Sequence, residues 1–314
     1  SLAATRGLQL RTLDDGHGEF DRAVAALHAD HGLRLRLERR LGELGYVDGK
    51  NIILIQQRSD PSLEAVESAI RSLIPAIDLL VVGGTIGGVA ARKLVTTKPV
   101  LFVAVGAPVE IGLVESLSRP GGNMTGITFE AATETYAKRL QILKEIMPKL
   151  NRVAVLHAQD DANVKFAMAS LEGAAPDLGV QLSSIGVSSS GDLDAAFDEM
   201  KRSQSEALIV IAGLLTYRHG QMIADLALAH HLPSCHAFRE TVAEGGLVSL
   251  GPDLIAVWAQ AAGYIDKIIR GAEPRELPVQ QPTRYELAIN LKTAKALDLD
   301  LPQSLLVRAD VVIE

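Results

Sequence analysis

Residues 78–88 read DLLVVGGTIGG. An unbroken apolar run of this kind cannot alternate between a core and water, so LLVVG predicts a strand buried on both faces, as in a parallel sheet covered by helices. The run ends in Gly83 and Gly84 and passes straight into a helical pattern through Arg92. The same cadence surrounds it: NIILIQQ with a helix after Pro61, PVLFVAVG with a helix to Leu117, RVAVLHA with a helix from about Asn163, QLSSIGV with one from Asp192, ALIVIAG with one to His231, and then PSCHAF. GLVSLG and a helix from Asp253 to Arg270 add another unit. Repeated βα units predict an α/β chain. Gly83, Gly84, Gly106, Ala158 and Gly213 mark carboxyl ends of strands, the edge at which open α/β sheets bind ligands. Two sheets in tandem, joined near the turn SRPGGNMTG at 118–126, predict a ligand cleft between two lobes.

Bulk properties narrow the function. A chain of 314 residues with 47% hydrophobic content exceeds what one core usually serves. The formal charge of -7 argues against a nucleic-acid partner. The one short basic run, Arg34, Arg36, Arg39 and Arg40, alternates with leucines and reads as a solvated helix face. No apolar stretch reaches the roughly 20 residues needed to span a bilayer, so no membrane insertion is expected. The single cysteine, Cys235, lies in the apolar run LPSCHAF and reads as a buried thiol. The opening SLAATRG has neither Met nor a basic-then-apolar leader, which fits a chain never exported or one whose leader has been removed.

The sequence carries little recognisable chemistry. GGTIGG lacks the spacing of a dinucleotide fingerprint and is not followed by the Lys of a P-loop; a tight strand-to-helix turn presenting N–H groups and the Thr85 hydroxyl to a small ligand fits better. His28, Asp30 and His31, and the adjacent His230 and His231, show no zinc spacing, and no serine sits in G-x-S-x-G. No metal or cofactor is expected. Asp160 and Asp161 open a helix and read first as capping residues that also reach the cleft. Arg239 in HAFRE reads equally as a carboxylate clamp or as a surface residue opening a helix.

PGGNMTG, KRLQILKEIMPKLNRVAVL, HAFRETVAEGGLVSLG and LPVQQPTRYELAINLKTAKALDLDLPQSLLVRADVVIE resemble the bacterial ABC transporter substrate-binding proteins of the tryptophan/tyrosine-binding-like family, from about residue 33 to 314. The resemblance implies a type I periplasmic-binding-protein fold: two Rossmann-like lobes, three crossovers and a ligand trapped as the lobes close. It implies lobes at 1–121 plus 241–279 and at 122–240 plus 280–314, hinges near 120–124, 238–241 and 279–282, a periplasmic location and a membrane permease as partner. The ligand-binding positions carried over are Thr85, Ile86, Gly106, Ala107, Asn123, Thr125, Gly126, His157, Asp161, Asn163, Leu214, His236, Phe238 and Arg239. The family's first strand is expected to be absent or cut short, which leaves open whether Ser1 to Thr5 reach the ligand.

Three acidic residues common in the family are replaced here by Ala107, Gly213 and Ala237. Donors then dominate the expected cleft, and an ammonium group would lack a partner. The sequence-based expectation is a non-enzymatic receptor for a small aromatic or aliphatic carboxylate, with Asn123, Thr125 and the Gly126 amide as anion donors. An aromatic amino-acid receptor of the same family is the alternative, and a ligand-sensing regulatory domain a weaker one without a helix-turn-helix to support it. An enzyme on the same two lobes would need a nucleophile or acid/base pair in the cleft loops.

Overall fold

Each apolar run feeds a strand, and each intervening amphipathic segment a helix. The computed structural model describes residues 23–27, 31–130 and 134–314. In order these form β1 (Ala23–Leu27), α1 (His31–Glu43), β2 (Ile53–Gln57), α2 (Leu63–Leu73), β3 (Leu79–Gly83), α3 (Gly84–Leu94), β4 (Val100–Val105), β5 (Met124–Thr128), α4 (Glu134–Ile146), β6 (Arg152–Ala158), α5 (Val164–Leu178), β7 (Gln181–Val187), α6 (Leu193–Arg202) and β8 (Ala207–Val210). They continue with α7 (Leu214–Arg218), α8 (Gly220–Ala229), β9 (Ser234–His236), α9 (Arg239–Ala243), β10 (Val248–Gly251), α10 (Leu254–Ile269), β11 (Glu286–Asn290), α11 (Leu291–Ala296), α12 (Gln303–Arg308) and β12 (Val311–Ile313).

Two sheets result. The first has the order β2-β1-β3-β4-β5 and is parallel throughout. The second has the order β12-β11-β10-β9-β8-β6-β7, with β10 and β11 its antiparallel pair. Helices cover both faces of each. In the first lobe α1 and α10 bury Leu33, Leu37, Leu41, Trp258 and Ile265 on one side, and α2 and α3 bury Val66, Ile70, Ala90 and Ala91 on the other. In the second, α4 and α5 cover Val153, Val155 and Ile209, while α6 and α8 cover Leu156, Leu208 and Val210.

Four expectations need correction. A first strand is present: AVAAL at 23–27 pairs with both β2 and β3 and occupies the interior of its sheet. Ser1 to Thr5, with His28 and Asp30, lie outside the described residues. The anticipated helix to Leu117 is a series of turns, because Pro108 supplies no N–H and both Ala107 (φ 45°) and Gly112 (φ 74°) take left-handed backbone.

The division between lobes also differs from 121/122 and 240/241. Residues 124–128 form β5 on β4 of the first sheet, so the chain first crosses between Phe129 and Glu134 rather than at 120–124. It crosses back between β10 and α10, at 251–254, because 248–251 pairs with β9 and β11 in the second sheet. The third crossing follows Gln280, which bridges to Ile127 at the edge of the first sheet, and precedes β11.

Candidate functional site

The carboxyl ends of β3, β4, β5, β8 and β9 converge on a small cavity of about 50 Å³ between the lobes. The first lobe contributes Leu33, Gly83, Gly84, Thr85, Ala104, Phe129, Leu254 and Trp258; the second contributes Ala212, Gly213, Leu214, Tyr217 and Phe238. Phe129 and Phe238 meet edge to face across the interface with ring centroids 5.8 Å apart, and Tyr217 stands at 89° to Phe238 at 5.7 Å. Such a wall gains most from a flat apolar group, which can stack on or abut each ring.

Local backbone shapes this wall. Gly84 has φ 76°, a left-handed value suited to glycine, and the turn it makes starts α3 at the cavity rim. Gly83 caps α3 without a side-chain bond, and Gly83, Gly84 and Thr85 at that helix start line the cavity. A β-carbon on Gly83 would stand 2.9 Å from the Trp258 ring, which is how the indole packs under the strand end. In β4 the register shifts between Val103 and Val105, and Ala104 between them has φ 55°. The bulge turns Ala104 to the cavity, and a non-glycine residue held in this region is strained.

A second cavity of about 140 Å³ adjoins the first. Leu214 lines both, and the consecutive residues Thr85 and Ile86 line one each. Its wall is more polar: Ser62, Gln159, Asp160, Asp161 and Ser188 share it with Pro61, Leu63, Ile86, Ala158, Val187 and Leu215. Asp161 is buried; its Oδ1 accepts the Asn163 N–H at 2.9 Å, and among the described residues Oδ2 has no hydrogen-bond partner. Burial pushes its carboxyl up to about 6, against the opposing pull of the Asn163 N–H.

Behind the site lies a buried polar network at the crossings. Arg139, fully buried, donates through Nε to Leu250 O (2.9 Å) and through Nη1 to Glu130 Oε1 (3.3 Å), with its guanidinium 4.4 Å from the centre of the Tyr136 ring. Tyr136 Oη accepts from Asn163 Nδ2 (3.4 Å) and from the Ala212 N–H (3.3 Å). Burial pushes Glu130 up to about 7 although Arg139 draws it down. The network ties the first crossing, at Glu130, to the second, at Leu250, and holds Asn163 beside Asp161.

The sequence-derived positions separate into groups. Thr85, Leu214 and Phe238 line the first cavity; Ile86 and Asp161 line the second. The Gly106 N–H donates to Thr85 Oγ1 at 3.3 Å, and a β-carbon there would come within 2.5 Å of Asn163 Oδ1, so Gly106 is where the two lobes touch. Ala107 lines neither cavity. Leu33, Ala104, Phe129, Tyr217, Leu254 and Trp258 line the first cavity without having been singled out. For Phe129 and Trp258 a signal existed: one directly follows the strand MTGIT, and the other is the only Trp of the chain, one turn into the helix after a strand end.

Six expected ligand contacts are occupied by structural bonds. Asn123 Nδ2 donates to Val95 O (2.9 Å) and Lys98 O (2.7 Å), at the amino end of β5. Thr125 is fully buried and donates to Leu277 O at 2.6 Å. Gly126 fits because a β-carbon there would lie 2.0 Å from Phe102 O. His157 Nε2 pairs with Ser184 Oγ (2.8 Å) and His236 Nε2 with Ser234 Oγ (3.0 Å). Burial holds His236 down to about 4, so it is neutral. Arg239 is held by Glu286 (3.0 Å), Asp253 (3.2 Å) and Glu240 (3.9 Å), so it is a strut near the second and third crossings rather than a clamp.

Residues 32–313 match the model of the family described as ABC transporter substrate binding protein. The chain belongs to that family. This receptor is 26% identical over 262 residues to a curated tyrosine-binding protein of Clostridioides difficile, covering 83% of this chain and 75% of the relative. Among solved structures it superposes on a conserved domain protein from Vibrio cholerae with a TM-score of 0.86 and 25% identity, over 94% of this chain and all of the other. An ABC domain from Streptococcus pneumonia in complex with L-Trp gives a TM-score of 0.85 at 22% identity, over 93% of this chain and all of the other. The type I periplasmic-binding-protein fold is thereby established for the receptor. Among its described residues no helix is long and apolar enough to cross a membrane.

Proposed function

We propose that the receptor captures an α-amino acid with an aromatic or comparably apolar side chain, without altering it, and presents it to the membrane permease of an ABC importer in the periplasm. The carrying observation is the juxtaposition of an aromatic-walled cavity, the open N-terminus of α3, and a buried unpaired carboxylate against Gly213. The apolar side chain sits among Phe129, Tyr217, Phe238 and Trp258. The α-carboxylate meets the first N–H groups of α3 and the Thr85 hydroxyl, which accepts from Gly106 and keeps its hydrogen to donate. The ammonium meets Asp161, which has no cation of its own. The tyrosine-binding relative and the L-Trp complex support this choice.

A carboxylate ligand without an ammonium, the expectation from sequence, has less support: its donors Asn123 and Thr125 are held by backbone carbonyls, and Arg239 is held by three acids. Calorimetry with L-tyrosine, L-tryptophan and L-phenylalanine beside 3-arylpropanoates of the same ring size separates the two readings. Binding of the amino acids, abolished or weakened at least tenfold in Asp161→Asn, is the expected result. Tight binding of the arylpropanoates alone would overturn it, leaving a protonated Asp161 as a donor to the ligand.

A further inference from the structure

The amino-acid reading fills the first cavity and uses only Asp161 of the second. That second cavity, at about 140 Å³ against about 50 Å³ for the first, is the roomier of the two, and it opens beside the position proposed for the ammonium. Its polar side chains are the carboxylates of Asp160 and Asp161, the Gln159 amide, and the hydroxyls of Ser62 and Ser188, with no Lys, Arg or His in the wall. Asp161 is nine-tenths buried, and its Oδ2 is without a partner among the described residues. A wall of this composition disfavours an anion and suits a positively charged group that also needs carbonyl partners.

The route between the cavities is framed by both lobes, with Thr85 and Ile86 on one side and Leu214 on the other. A ligand whose carboxylate is fixed at α3 and whose side chain fills the aromatic cavity would direct its α-nitrogen along this route, past Asp161. We infer that the second cavity is a subsite for one further residue, so that the receptor also takes a dipeptide with an aromatic or apolar C-terminal residue. In that pose the peptide N–H donates to Asp161, and the terminal ammonium lies by Asp160 and the Gln159 carbonyl. Ser188 reaches the same space through its bond to Gln159 Oε1 at 3.2 Å. The inference rests on the amino-acid reading of the first cavity.

The test is calorimetric titration with L-tyrosine, alanyltyrosine and N-acetyltyrosine on the native receptor and on Ser188→Leu and Asp160→Asn. Ser188 is exposed in a loop and belongs to the second cavity alone, so its replacement narrows that cavity without touching the first. Expected are alanyltyrosine binding within about tenfold of L-tyrosine, N-acetyltyrosine at least tenfold weaker than alanyltyrosine, and a loss of at least tenfold for alanyltyrosine in both variants while L-tyrosine stays within about threefold. Binding of L-tyrosine with alanyltyrosine weaker by more than about 100-fold, or alanyltyrosine binding indifferent to both variants, overturns the inference and leaves the amino-acid reading standing. Failure of these three probes and of L-tryptophan and L-phenylalanine to bind overturns both.

Discussion

The carboxylate of Asp161 fills the space where a side chain at Gly213 would begin: a β-carbon on Gly213 would lie 3.0 Å from Asp161 Oδ2. The loop after β6 thus supplies an acid to the volume beside Gly213. Gly213 has φ -165°, extended backbone open to any residue, so its smallness is about room for Asp161. Gly213→Ala should therefore displace the carboxylate and weaken amino-acid binding by about tenfold while costing less than about 1 kcal/mol of stability. Calorimetry paired with thermal denaturation checks both halves.

Affinity should also depend on acidity through Asp161. Burial holds its carboxyl at about 6 in the free receptor. A ligand ammonium favours the ionised form, so binding below that value expels a proton, and affinity falls by up to tenfold for each pH unit below it. Titrations at pH 7.5 and pH 5 should differ by about tenfold, with the weaker binding in acid. Asp161→Asn should flatten the profile; an unchanged slope in that variant would remove Asp161 from the role.

Thr125 and Gly126 should respond as parts of a sheet. Thr125→Ala deletes the bond to Leu277 O, a half-buried carbonyl, at about 1 kcal/mol. Gly126→Ala forces a methyl against Phe102 O and should cost about 3 kcal/mol or prevent folding. Neither role predicts a change in ligand affinity for folded Thr125→Ala beyond about twofold. Denaturant melts together with calorimetry measure the two effects separately.

Removing one partner of the Glu130–Arg139 pair should be severe. Arg139→Met leaves Glu130 buried with its ion partner gone, at about 3–5 kcal/mol, and adding Glu130→Gln should restore a large part of the loss. A double-mutant cycle in urea gives the coupling directly, and additive losses would show that the pair acts only through packing.

Much of the fold was written in local pattern, because a doubly covered parallel strand must be apolar at every position, and runs such as LLVVG and ALIV can be little else. The short AVAAL at 23–27 escaped notice because alanine marks neither strand nor helix strongly, and its place in the sheet is set by pairing with residues 53–57 and 79–82. The cleft was legible where a glycine followed a strand, as at Gly83 and Gly84. It was misread at 120–126, where the turn precedes its strand: that puts Asn123 at the amino edge, opposite the ligand side, and threads Thr125 and Gly126 through the sheet. Arg239 was misread for a different reason, since two of its acids, Asp253 and Glu286, come from segments distant in sequence.

The three crossings also govern how this molecule can be made. The helix that seals one face of the first sheet, α10, and the Gln280 bridge at its edge are encoded after nearly all of the second lobe, while β11 and β12 of the second sheet are encoded later still. A chain growing from its amino end therefore exposes Leu33, Leu37 and Leu41 of α1, with no helix to cover them, until residues 254–269 have been synthesised. Neither lobe is encoded as one continuous stretch, so each is completed only once residues beyond 254 have been made.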